Sequence, residues 1–76
     1  MPFSFVILES MKDLNRIKEV LVSKKVTQVW LASEIGKNIN TVSAWSTNRR
    51  QPSLEDLYRI SVLLDVDIRE LLNPTK

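Results

Sequence analysis

The 76-residue chain contains no cysteine and no histidine, and only one glycine and three prolines. Without cysteine there is no disulfide framework, so a domain this small must rest on well-packed helices or on a partner chain. Without histidine the commonest general base is missing, and with cysteine also absent so are the usual transition-metal ligands. No metal, cofactor or enzymatic chemistry is expected. The carboxylates are spread singly along the chain rather than paired for acid/base work, and one glycine cannot build a phosphate-cradling loop. No apolar run approaches the roughly 20 residues that a bilayer span needs. The single short run, Phe3 to Leu8, is shorter than the apolar core of a secretion signal and lacks its basic leader and cleavage site. These absences lead us to expect a cytoplasmic protein with no membrane association.

What is present is a folding composition. Apolar residues make up 43% of the chain, enough for one helix-rich domain but not for a second, catalytic one. The net charge of +2 is small, so its distribution matters more than its sum. Lys37 to Gln51 holds three bases and no acid, with Arg49 and Arg50 adjacent, whereas Pro52 onward holds three bases and five acids. The basic surplus therefore lies at the start and in the middle of the chain.

The apolar spacing divides the chain into short segments. Residues 1–9 read as an extended arm or strand, and residues 10–76 as one helical domain. From Lys12 a helical period places Leu14, Ile17, Val20 and Leu21 on one face, with Ser10 and Asp13 as a capping-box-like pair. Thr27 is the expected N-cap of a second helix, Gln28 to Ile35, which Gly36 stops in a left-handed conformation. Asn38 opens a third helix, running to about Thr47 and burying Val42 and Trp45, with Asn48 as a second left-handed terminator. After Gln51-Pro52, Ser53 and Asp56 cap a fourth helix with Leu54, Leu57, Ile60 and Leu64 inward. Asp67 begins a short fifth with Ile68, Leu71 and Leu72.

Helices two and three, joined around one glycine, meet the demands of a steep helix crossing: a small residue (Ala32), a left-handed turn (Gly36) and apolar contacts (Leu31, Ile35, Val42, Trp45). The segment QVWLASEIGKNINTVSAWSTN resembles the helix-turn-helix of phage repressor and Cro proteins, also called the xenobiotic-response-element type of bacterial regulator. RRQPSLEDLYRISVLLDVDIRELL resembles the family's fourth and fifth helices, so the likeness runs from about Leu14 to Leu72. It implies an all-α, five-helix repressor-like domain that binds double-stranded DNA.

The resemblance makes Asn38 to Thr47 the recognition helix, entering the major groove. Asn38, Ile39, Asn40, Ser43, Ala44 and Thr47 are then the candidate base contacts. Asn40 leads them because an amide can bond bidentately to adenine, while Ile39 and Ala44 suit thymine methyls. Thr27, Gln28, Lys37, Arg49 and Arg50 are the candidate phosphate contacts, although Thr27 also serves as a cap. Lys37, Arg49 and Arg50 on two subunits would neutralise six phosphates and give a log–log salt slope of about −5.

Asn48 and Asp65 stand where the family usually has glycine, and both residue types tolerate a left-handed backbone. Trp30 and Val62 replace residues that are often polar. With the arm they supply more apolar surface than a minimal monomer needs, which marks either an interface or intrachain packing under the arm. Phe3, Phe5, Ile7, Tyr58 and Val62 are the candidate homodimer contacts. The family implies a repressor on a palindromic operator, of phage, mobile-element or restriction-modification controller type, and no small-molecule effector pocket is evident. The alternative is an antitoxin or adaptor that uses the same fold to hold a partner protein.

Overall fold

The computed structural model describes residues 13–75. The expected arm, with Phe3, Phe5 and Ile7, and the expected cap Ser10 lie outside them. The described residues form four α-helices, α1 (Ile17–Ser23), α2 (Gln28–Ile35), α3 (Ile39–Ser46) and α4 (Leu54–Leu64), and a 3-10 helix, Ile68–Leu71. The all-α expectation holds, but the fifth element is a single tight turn rather than an α-helix.

Short polar side chains set most of the boundaries. Thr27 Oγ1 accepts the Trp30 N–H at 3.0 Å, Asn38 Oδ1 accepts the Asn40 N–H at 2.7 Å, and Ser53 Oγ accepts the Asp56 N–H at 3.0 Å. Each supplies a partner for a backbone donor that the first helical turn leaves unpaired. Gly36 ends α2 at φ 73, and Asn48 and Asp65 take φ 61 and 55, as their residue types allow. Lys25 is a left-handed terminator that its residue type does not announce. Its N–H bonds Val22 O at 3.0 Å and the Val26 N–H bonds Leu21 O at 3.1 Å, a pair that offsets the steric cost.

The start of the domain differs from the periodic reading. Leu14 is 41% exposed, and α1 begins only at Ile17. Residues 13–16 instead pair with the chain end: Asn15 forms an antiparallel bridge with Leu72, the Arg16 N–H bonds Leu71 O, and the Asn73 N–H bonds Leu14 O. Those groups are satisfied by tertiary partners, so a further helical turn would gain them nothing.

The core runs through every element. Ile17 and Leu21 of α1 meet Leu31 and Ile35 of α2, Val42 and Trp45 of α3, Leu57, Ile60 and Leu64 of α4, and Leu71. Trp30 is half-buried against this cluster. Leu54, expected inward, is 76% exposed because it falls on the same outward side of α4 as Tyr58 and Val62, away from the buried Leu57, Ile60 and Leu64. Each fully buried aliphatic side chain contributes about 1.5–3 kcal/mol of transfer free energy, before the entropy of ordering the chain is set against it.

Candidate nucleic-acid interface

Helices α2 and α3 are separate rods joined by Gly36, Lys37 and Asn38. Leu31, Ala32 and Ile35 of α2 and Val42 and Trp45 of α3 are held in one core with side chains of α1 and α4, so the outer side of α3 is set by the core. Val42 and Trp45 are buried, while Ile39, Asn40 and Thr47 are exposed and Ser43 is half-buried. The outward face is therefore short, polar and uncharged, with one branched apolar residue at its N-terminal end.

Cations border this face. Arg49 and Arg50 follow the C-terminus of α3, and both are exposed. Neither has an acidic partner within salt-bridge distance among the described residues. They line a cleft of about 350 Å³ together with Asn40, Thr41 and Ala44, so two guanidiniums and an amide share one concavity. Planar guanidiniums suit both phosphate oxygens and a guanine edge. Lys37 lies at the other end of α3 and is shared: its Nζ is 3.5 Å from Asp56 Oδ2, while Arg59 approaches Asp56 Oδ1 at 3.7 Å.

The site residues fall into three groups. Ile39, Asn40, Ser43 and Thr47 share the outer side of α3, flanked by Lys37, Arg49 and Arg50. Thr27 and Asn38 have their side-chain oxygens engaged as helix caps, which leaves Thr27 exposed but its Oγ1 already accepting. Gln28, at the start of α2, is half-buried. Thr47 is tied down locally: its hydroxyl bonds Ser43 O at 3.0 Å and accepts from Arg49 Nε at 3.3 Å.

Ala44 corrects the helical-wheel reading. It is 4% exposed, because the chain after α3 doubles back and the Arg49 and Arg50 N–H groups both bond Ala44 O, at 2.9 and 3.2 Å. A small side chain is thus covered by a following loop, which periodicity within the helix could not show. Thr41 is the residue the sequence reading passed over. It lies one position after Asn40 and three before Ala44, and that spacing places it on the wall of the cleft.

Away from α3, Tyr58 and Val62 are 63% and 61% exposed, and with Leu54 they recur every four residues along the outer side of α4. They form an apolar stripe bordered by two clefts that share Tyr58 and Arg59, one reaching Glu34, Ile35 and Leu63, the other Glu55 and Ile68. No described helix is long and apolar enough to cross a membrane.

Comparison with known proteins agrees with this geometry. A helix-turn-helix family profile matches residues 17–71, from the first residue of α1 to the last of the 3-10 helix. No curated protein matches the chain. Among solved structures it is similar to a crystal structure from Bacteroides fragilis described as that of a candidate DNA-binding protein, at 52% sequence identity and a TM-score of 0.78. That alignment covers 79% of this chain and 97% of the other. A profile spanning all four helices, with half of the aligned residues identical to those of a protein of the same fold, leaves one conclusion: the chain belongs to the helix-turn-helix family of Cro and repressor type, non-enzymatic DNA-binding regulators of transcription.

Proposed function

We propose that this regulator is a sequence-specific repressor that acts as a homodimer on a two-fold-related operator, with α3 of each protomer in successive major grooves. The observation that carries this reading is the outer side of α3, where the exposed Asn40 lines the same cleft as Arg49 and Arg50, with Lys37 before the start of the helix. An amide flanked by cations can read an adenine edge while the cations hold the phosphates on either side. The stripe of Leu54, Tyr58 and Val62 supports self-association, since a second copy would cover apolar surface that stands exposed on the described domain. Repression needs only that a bound dimer occupy a promoter.

The test is duplex selection from a randomised pool, followed by titration of the selected and scrambled duplexes over a salt series. A two-fold-symmetric consensus with half-sites about 34 Å apart is expected. Four arginine contacts per dimer give a log–log slope of about −3.6, and two lysine contacts would extend it to about −5.4. Selection that yields no consensus, together with a flat salt response, would reject DNA recognition through α3.

A further inference from the structure

Arg49 and Arg50 sit between two amide side chains, Asn48 and Gln51, that are joined to a third, Asn15, across the domain. Asn15 is 2% exposed, which is unusual for an amide side chain. All of its polar groups are used. Its Nδ2 donates to Trp45 O at 2.9 Å and to Gln51 Oε1 at 2.7 Å, and its Oδ1 accepts the Ile17 N–H at 3.0 Å. Its backbone pairs with the Asn48 side chain in both directions, N–H to Oδ1 at 3.0 Å and O from Nδ2 at 3.1 Å. Gln51 Nε2 completes a ring by donating to Asn48 Oδ1 at 3.1 Å.

This ring grips the chain immediately before and immediately after the arginine pair. Within that span the two arginine N–H groups converge on Ala44 O, so the backbone from residue 48 to 51 is held from three directions. Arginine side chains are long and rotatable, and the backbone from which they spring decides which phosphates they can reach together. An amide ring buried on one side and bracketing two cations on the other is more than a helix terminator requires, since Asn48 alone supplies the left-handed turn.

Resting on the reading that Arg49 and Arg50 contact phosphates, we propose that Asn15 is a positioning residue for DNA binding. It acts through Asn48 and Gln51 to hold the two guanidiniums in register with the backbone of the duplex, and it touches no nucleotide itself. A residue in α1's leader segment thereby sets the electrostatic grip of the loop after α3.

The experiment measures the salt slope of binding to a short random-sequence duplex, with full-length protein, at temperatures where circular dichroism shows each variant folded. The double variant Arg49→Ala/Arg50→Ala defines the loss of both contacts, a slope shallower by about 1.8 per bound protomer. Gln51→Met, at an exposed position, opens the ring without disturbing the core, and Asn15→Asp removes both side-chain donors. Each is expected to flatten the slope by at least about 0.9 per protomer, the equivalent of one phosphate contact. Gln51→Met added to the double arginine variant should then change the slope no further. A lowered melting temperature with the wild-type slope in both ring variants would overturn the proposal, and Gln51→Met decides the matter if Asn15→Asp does not fold. If the double arginine variant itself keeps the wild-type slope, the phosphate reading fails first and the positioning role falls with it.

Discussion

Asn40 and Gly36 show how much one residue can carry here. Asn40 is exposed, and its backbone N–H is occupied by the Asn38 cap while its side chain projects outward from the first turn of α3. Asn40→Ala should reduce discrimination between selected and random duplex by about 1–3 kcal/mol and leave random-duplex affinity nearly intact. Equal losses on both duplexes, in paired titrations, would remove Asn40 as a base reader. Gly36 is needed for backbone conformation alone: at φ 73 a Cβ would meet nothing within 4 Å. Gly36→Ala is therefore expected to cost about 1–2 kcal/mol, the left-handed penalty without a packing term, measured by urea unfolding. A much larger loss would mean that the turn resists substitution for a steric reason. Both residues were legible in the sequence, since a lone glycine after an apolar run and an amide on the far side of Val42 and Trp45 are local patterns. Lys25 was not, because nothing about lysine signals a left-handed backbone; two hydrogen bonds at the end of α1 impose it.

At the scale of elements, Asp56 joins the start of α4 to the approach to α3. Its carboxylate engages Lys37 and Arg59, so a phosphate at Lys37 must compete with an internal anion. Asp56→Asn keeps the shape and frees the lysine. Random-duplex affinity should rise and the salt slope steepen by about 0.9 per protomer, in the same anisotropy titration used for the wild type. An unchanged slope would place Lys37 away from the DNA. The 3-10 helix has its own charge device: Asp67 accepts from the Arg69 side chain and from its N–H, and Glu70 bonds back to the Asp67 N–H. The Arg69 side-chain hydrogen bond, then that from its N–H, holds the Asp67 carboxyl below its ordinary value of 3.8. The folded value being lowered, this stabilisation is complete above that ordinary value and disappears as pH falls through the folded one. Acid unfolding of Asp67→Asn should accordingly show a smaller loss of stability over that range than wild type. An identical acid profile would mean that the pair adds nothing measurable, as exposed pairs often do.

On the scale of the whole molecule, the outer side of α4 is an apolar face that the core formed by the described residues does not use. Leu54, Tyr58 and Val62 lie four residues apart and open to solvent. Tyr58→Glu would place a charge in the middle of that stripe. The expected result is a shift from dimer to monomer in sedimentation at micromolar concentration, with helical content retained and operator affinity reduced. A wild type that sediments as a monomer, or a variant that remains a dimer, would move self-association to another surface.

The sequence by itself determined the helix boundaries at Thr27, Gly36, Asn38 and Ser53, the inward residues of α2 and α3, and the family to which they belong. Caps, terminators and apolar spacing act over one or two turns, so they can be read without knowing what lies across the domain. Only the tertiary structure decided where α1 starts, why Ala44 is covered, that Asp56 claims Lys37, and that Asn15, Asn48 and Gln51 close a ring around the arginine pair. Apart from the loop over Ala44, those facts rest on hydrogen bonds and ion pairs between residues as distant in sequence as Leu14 and Asn73, and no local pattern encodes which distant partner a buried amide or a free carbonyl will find.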